Sequence, residues 1–390
     1  MRIGVFFFLY FFTQGILQPY LPPYYKNLGF SGENLSTILA LGQFATIAGP
    51  PFWGFLTDRS GKPVTFLRML AIGAMLAFVP MLWAKSFLTV AAVICFYSFF
   101  NTSVSPLGDT VAMSEARRMN TDYGRIRLWG SIGFIVAVYS FGEVTSDAQL
   151  QWVIPSALAV MGTYVIAAHW IAPTPPSPHG APSLADAGRL MVQPAFLAFL
   201  IATMIHWMAL QPFYFLYSLH MKSLHFDSYL GKGIALGVCA EVCMMWAARS
   251  LIKRLPIFAI LALALLASSL RWYLTATRRQ GWEIAGTQIF HGLSFGAFYV
   301  CSIAHLERAV PERQRATGRA LFSSVVLGLG GILGTKLAGW LYDHSGENAS
   351  DAFFASAGLE YLALIPLAIA AWLYRAKTLA EKKAEVAAAA

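Results

Sequence analysis

The sequence predicts an all-α polytopic membrane protein whose twelve transmembrane helices form two pseudo-symmetric six-helix bundles. Three observations predict it. Of 390 residues, 57% are hydrophobic and only 12% charged, where a soluble globular chain carries roughly a quarter charged residues. The apolar residues fall into twelve blocks, each long enough, at about 20 residues, to cross the hydrocarbon core as a helix. Short motifs of the first half also recur, in order, in the second.

Lipid offers the backbone no hydrogen-bond partner, so every block must be helical. Block 1 (3–28) has only Arg2 as a charged head and no small-residue cleavage site. It continues through Gln18-Pro19-Tyr20 into Tyr24-Tyr25-Lys26, and so reads as a retained first helix rather than a signal peptide. Blocks 2 (33–57) and 3 (64–84) flank a short charged loop, with Pro63 at the entry to the third helix, where proline is tolerated. Block 4 (87–114) ends at Glu115-Ala-Arg117, and block 5 (124–143) opens on Gly124-Arg125. Block 6 (150–172) runs into Pro173, Pro175, Pro176, Pro178 and Pro182, a stiff linker over 173–190. Blocks 7 (191–219), 8 (228–250), 9 (255–276), 10 (281–306), 11 (317–342) and 12 (351–375) complete the second bundle, 191–376. The tail, 377–390, is charged and alanine-rich and reads as a frayed helix. Gly130 and Gly133 in block 5, and Gly328, Gly330, Gly331 and Gly334 in block 11, give small faces for close helix packing.

The net charge of +9 does not mark a nucleic-acid partner. With both termini in the cytoplasm, the cytoplasmic loops hold 20 of the 28 basic residues and the external loops 6. Arg271 and Lys336 remain, inside helices. That asymmetry is the positive-inside rule. Basic charge here sets topology in a lipid bilayer, expected to be the inner membrane of a bacterium. The four cysteines lie inside helices, so no disulfide framework is implied. Cys239 and Cys243 share a helix face, but structural metal sites want four ligands. Two small core residues are the simpler reading, and no metal or cofactor is expected.

The repeat has a nearly constant offset. Leu17-Gln18-Pro19-Tyr20 recurs as Leu210-Gln211-Pro212-Phe213, 193 residues on. Ala40-Leu41-Gly42 recurs as Ala235-Leu236-Gly237, offset 195, Pro63 as Pro256, offset 193, and Gly124-Arg125 as Gly318-Arg319, offset 194. Six helices per unit is even, so the two units run parallel.

Between blocks 2 and 3, Gly54-Phe-Leu-Thr-Asp58-Arg59-Ser-Gly61-Lys62 resembles the loop signature of the major facilitator superfamily. The resemblance covers the whole chain. It is nearest the phenylpropionate permease branch, related to lactose-permease-like proton symporters. It rests there on Pro106-Leu107-Gly-Asp109, Tyr123-Gly124-Arg125-Ile-Arg127-Leu128-Trp129-Gly130-Ser131, Ala240-Glu241-Val242, Leu270-Arg271-Trp272 and Gln288-Ile-Phe-His291. The chain departs from the branch at Thr46, Tyr299 and Lys336. The resemblance implies the major facilitator fold and proton-coupled uptake of a small organic solute by alternating access. It also implies a gating group of Asp58, Arg59, Lys62, Asp109, Arg125 and Arg127. In it, Asp58 meets the positive end of helix 11 and Lys62 reaches Asp109, latching the halves with the outer side open. The structural alternative is solvated loop charge.

Charges inside membrane helices are costly and functional by default. Glu241, in helix 8, is the repeat equivalent of Thr46 in helix 2, so one half has an acid where its twin has a hydroxyl. Glu241 is the candidate proton acceptor. A direct Glu241–Arg271 ion pair is the structural alternative. His291, one turn from Gln288, and Arg271 join Glu241 in the proton-coupling group. His206 reads as a buried hydrogen-bonding histidine. Gln18 and Gln211 each precede a helix-weakening proline, and with Thr46, Trp207, Gln288, Tyr299 and Lys336 they are the candidate substrate-binding residues. Trp207 to Tyr217 supplies aromatics to cradle an aromatic solute.

No phosphate-binding loop or nucleophile constellation is present, which argues against ATP drive and enzymatic catalysis. The expectation is a monomeric secondary transporter, a proton symporter for a small organic anion such as an aromatic carboxylate, with Arg271 and Lys336 motivating the anion. A sugar or nucleoside symporter, a proton-driven exporter, and a membrane sensor or lipid-handling protein are the alternatives.

Overall fold

The computed structural model describes residues 2–144, 147–173 and 184–389. The first half consists of α1 (Arg2–Asn27), α2 (Gly32–Ser60), α3 (Pro63–Phe78, prolonged by a 3-10 turn at Val79–Leu82), α4 (Phe87–Arg118), α5 (Tyr123–Val144) and α6 (Val153–His169). The second consists of α7 (Pro194–Ser223), α8 (Asp227–Arg254), α9 (Ile257–Thr277), α10 (Gly281–Ala309), α11 (Arg315–Leu321, Phe322–Leu329 and Gly330–His344 in series) and α12 (Ala349–Ala389). Eleven of these are long and apolar enough to cross a membrane. The twelfth, α5, is 22 residues long and carries Arg125 and Arg127 in its first turn. It packs between α1 and α8. The boundaries agree with the sequence reading to within about a turn except in α12, which continues as helix through the tail. Most of the proline-rich linker lies outside the described residues. Its last part is a short helix, Leu184–Met191, tied to the second half by Gln314 Nε2 donating to Asp186 (3.0 Å).

The turn between α2 and α3 shows why the loop signature needs its glycine. Gly61 caps α2 in the left-handed conformation (φ 66°) and its N–H returns to the Thr57 carbonyl. Pro63 then starts α3, where no N–H is needed.

Each half packs around its own helices: α1 on α5 and α6, α2 and α3 on α4, then α7 on α11 and α12, α8 on α10, and α9 on α12. The halves meet along α2–α11, α5–α8 and α1–α7. The α2–α11 seam is tight, with Gly339 against Ser36, Gly331 against Gln43 and Gly328 against Ile47.

Polar contacts between the halves gather at the end away from the termini. The Asp343 carboxylate of α11 accepts from the backbone N–H groups of Gly32 (2.7 Å) and Glu33 (2.8 Å) at the start of α2. Lys26 pairs with Glu347, Lys222 donates to Asn27 (3.2 Å), and Lys336 donates to Thr37 (2.9 Å). At the end carrying the termini, the ion pairs among the described residues stay within one half: Arg118–Glu115, Arg127–Asp109, and Glu307 with Arg315 and Arg319.

Two expectations change. Cys239 and Cys243 are exposed rather than core residues. Cys239 and Cys243 share the outer stripe of α8 with Leu236 and Trp246, turned away from the other helices. The Lys62–Asp109 contact is also not made in this conformation, because Asp109 is engaged by α5 instead.

Candidate functional site

A cavity of about 600 Å³ lies between the halves, lined by α1, α2, α4 and α5 from one side and α7, α8, α10 and α11 from the other. Its walls are largely aromatic: Tyr10, Phe11, Tyr97 and Phe134 face Trp207, Phe213, Tyr214 and Phe295. Amides and hydroxyls punctuate them, at Gln14, Gln18, Gln43, Thr46, Ser98, Ser131, Gln211 and Thr335. Three ionisable side chains reach the lining besides the tyrosines: Arg127, Glu241 and His291.

The repeat places its equivalents on this surface, but they are not used alike. Gln18 is exposed to the cavity, and among the described residues its amide has no hydrogen-bond partner. Gln211 is buried, its Nε2 donating to the Trp207 carbonyl (3.1 Å) and its Oε1 accepting from Thr335 (3.2 Å). Thr46 and Glu241 both line the cavity. Thr46 donates to its own helix, at the Gln43 carbonyl (2.6 Å), while the Glu241 carboxylate, 20% exposed, turns to His291.

Arg271 lies one layer behind this wall and is fully buried. Its Nε and Nη2 donate to Gln288 Oε1 (3.1 and 2.5 Å), and its Nη1 donates to His291 Nδ1 (2.9 Å) and Ser294 Oγ (3.2 Å). The guanidinium stacks over Phe213 (4.5 Å) and Trp272 (4.3 Å). A guanidinium only donates, so His291 Nδ1 must be the acceptor and the imidazole is the neutral Nε2–H tautomer. Its Nε2 lies 3.5 Å from Glu241 Oε2. Arg271, His291 and Glu241 thus form a chain running from the buried interior to the cavity. The direct Glu241–Arg271 pair is replaced by one with His291 between. Protonating His291 at Nδ1 would set an N–H against the guanidinium, and the Glu241 carboxylate is the end of the chain that reaches the cavity.

The other expected residues sort by position. Trp207 lines the cavity and packs against Tyr214 and Phe295. Gln288 is fully buried and serves Arg271, not the cavity. Tyr299 stacks flat on Phe295, beyond the lining. Lys336 sits on the α2–α11 seam. The two cations that motivated an anionic solute therefore do not face the cavity. The cation that does, Arg127, lies over Phe11 (4.1 Å) and is paired with Asp109 (3.5 Å), which also accepts from the Tyr123 hydroxyl (2.8 Å). Asp58 lines a separate cleft of about 190 Å³ among α2, α3 and α4. Arg59, Lys62 and Arg125 are exposed near the same end. Sequence reasoning missed Glu360, a fully buried carboxylate on α12, 2.6 Å from His206 Nδ1. It stands inside an apolar block, and the cost of an intramembrane charge is the signal that could have found it.

Comparison with known proteins agrees with this architecture. The profile of the MFS_1 like family matches residues 1–353. The chain is 29% identical over 358 residues to a protein named maltose permease from Geobacillus stearothermophilus, covering 90% of each. It is 25% identical to the probable 3-phenylpropionic acid transporter of Escherichia coli (strain K12), covering 87% of this chain and 90% of that one. Among solved structures, a mutant form of the nucleoside transporter NupG superposes with a TM-score of 0.86 at 16% identity, over 95% of this chain and 98% of that one.

Proposed function

The chain belongs to the MFS_1 like family, a secondary transporter of the major facilitator type, and from that premise we propose that it is a proton-coupled symporter. It takes up a small, neutral, hydroxyl-rich solute built on a ring, a sugar or a nucleoside. The carrying observation is the charge of the cavity. Among the described residues Glu241 is the one carboxylate on its lining, Arg127 is paired with Asp109, and the other polar groups are the His291 imidazole, amides and hydroxyls between aromatic rings. Such walls stack on a ring and hydrogen-bond its hydroxyls, while an anion would meet Glu241. The maltose and nucleoside names among similar proteins agree with this choice.

On this reading the protein works in a bacterial inner membrane with both termini in the cytoplasm, and closure of the halves at the opposite end corresponds to an inward-facing conformation. Glu241 takes a proton when the cavity faces outside, the solute binds, and the cavity turns inward. Release of the proton through water then follows release of the solute. A second reading, an aromatic carboxylate, draws on Arg127: a solute carboxylate that displaces Asp109 finds a guanidinium already stacked on Phe11.

Proteoliposomes with an imposed pH gradient test this. Labelled maltose, a nucleoside and phenylpropionate are offered in parallel. One proton per solute at one pH unit supports accumulation of up to about tenfold. Glu241→Gln is expected to abolish gradient-driven accumulation while retaining solute exchange. Full accumulation by that variant overturns the role of Glu241, and accumulation of phenylpropionate alone selects the second reading.

A further inference from the structure

A second group of ionisable side chains lies behind the cavity wall, out of the solute's reach. His206 on α7 and Glu360 on α12 are both fully buried. His206 Nδ1 is 2.6 Å from Glu360 Oε2, and its Nε2 is 2.8 Å from the backbone carbonyl of Ser294. A carbonyl only accepts, so Nε2 keeps its hydrogen in every state. One more proton sits between Nδ1 and Oε2. With it, the pair is imidazolium and carboxylate or imidazole and carboxylic acid, and both are neutral overall. Without it, a carboxylate faces an imidazole lone pair and the pair is negative. The geometry therefore frames one exchangeable proton. The donors Ser268 and Trp272 are buried beside the pair and turned to the Glu360 carboxylate.

Arg271 connects this pair to the cavity. It donates to Ser294 Oγ on one side and to His291 on the other, and all its direct partners are neutral. Tyr214 and Tyr217 are the other titratable groups facing it. A buried cation needs a counter-charge, and two carboxylates lie one residue away: Glu241 beyond His291 on α8, and Glu360 beside His206 on α12. Ser294 belongs to a π-helical stretch of α10, Gly292–Ala297, an irregularity frequent at functional sites. Its hydroxyl accepts from Arg271 while its carbonyl accepts from His206.

We infer that the His206–Glu360 pair is a second proton-binding site, secluded from the solute, whose occupancy is coupled through Arg271 to that of Glu241. The inference rests on the reading of Glu241 as the coupling acid. Each site takes its proton from water and returns it to water. When the pair is protonated and neutral, Arg271 leans on Glu241 and favours its charged form. When the pair is deprotonated, Arg271 is compensated from behind and Glu241 binds its proton more readily. The two sites are thus antagonistic in every step of the cycle.

Infrared difference spectra of the purified full chain, titrated with pH in lipid, read carboxyl protonation directly. Glu241→Gln and Glu360→Gln are each expected to remove one titrating carboxyl band. Glu360→Gln is also expected to move the midpoint of the Glu241 band by at least about threefold in proton affinity, about half a pH unit. The glutamine amide still bonds His206, so a merely structural role leaves that midpoint in place. An unchanged set of bands, or a smaller shift, overturns the inference. Where Glu360→Gln does not fold, His206→Gln, which keeps a donor for the Ser294 carbonyl, is read by the same criterion. Absence of proton-driven uptake in the parent protein would remove the symport reading, while the spectra still decide the second site.

Discussion

A single guanidinium organises the buried polar chemistry of the second half. Arg271 presents its fork to Gln288, His291 and Ser294 and lays its flat face over two aromatic rings. A lysine has the charge but neither the fork nor the plane. Arg271→Lys is therefore expected to leave at least one of Gln288 and His291 unpaired, at about 1–3 kcal/mol each, and to free His291 from its tautomer. The checks are a lower Tm by thermal shift and loss of gradient-driven uptake in the same variant; a lysine protein with parent Tm and parent uptake contradicts the assignment. The two repeat glutamines separate in the same way. Gln18→Ala is expected to weaken solute affinity about fivefold, the worth of one hydrogen bond, with little change in Tm, whereas Gln211→Ala leaves Thr335 unpaired and lowers Tm. Equilibrium binding and thermal shift on both variants tell these outcomes apart.

At this scale the sequence was informative where chemistry is local. Glu241, His291, Arg271 and Gln288 each stood out as polar residues in apolar blocks or as parts of recognised motifs, and the structure brings all four together. Their order was not legible, because which side chain stands between two others depends on how α8, α9 and α10 rotate against each other. Glu360 and His206 are 154 positions apart, and no spacing rule joins residues on helices that distant. Lys336 looked like a cavity cation only because the direction of its helix face was unknown.

Among the helices, α2 and α11 form a lever contacted at one end. Asp343 offers one carboxylate oxygen to each of two backbone N–H groups at the α2 N-terminus, where a helix dipole and two charge-assisted hydrogen bonds act together. Asp58 of the loop signature sits at the other end of α2, on a cleft shared with α3 and α4. The glycines and prolines that bound these helices were readable as local backbone requirements. The Asp343 clasp was not, because it joins residues more than 300 positions apart and depends on which way the halves are tilted. Removing its charge is expected to cost this conformation about 1–2 kcal/mol. Asp343→Asn accordingly moves the balance about five- to thirtyfold toward the state opened at this end, measured by distance distributions between spin labels on α2 and α11. An unshifted distribution means that the clasp is incidental to the cycle.

For the whole molecule, the seam between halves is closed at one end and runs along α2–α11 past Ser36 and Gln43 to Ile47 and Gly328. The cavity lies alongside it, with Leu39, Gly42 and Thr46 on its wall. A cysteine at Thr46, in a chain whose native cysteines are replaced by serine, therefore reports which face of the membrane the cavity meets. A membrane-impermeant thiol reagent is expected to modify it from the cytoplasmic face in inside-out vesicles and far more slowly from the outer face in right-side-out ones. The α5–α8 contact supplies the switch. A Cβ at Gly231 would stand 2.6 Å from the Val138 carbonyl and 3.3 Å from the Gly142 Cα, and backbone atoms cannot move aside as a flexible side chain does. Gly231→Val thus prevents closure at the outer end without touching the cavity wall. In that background the Thr46→Cys thiol is expected to react from the outer face instead. Reaction from the cytoplasmic face in both backgrounds would mean that the halves do not rock about this seam, and that access to the cavity is governed elsewhere.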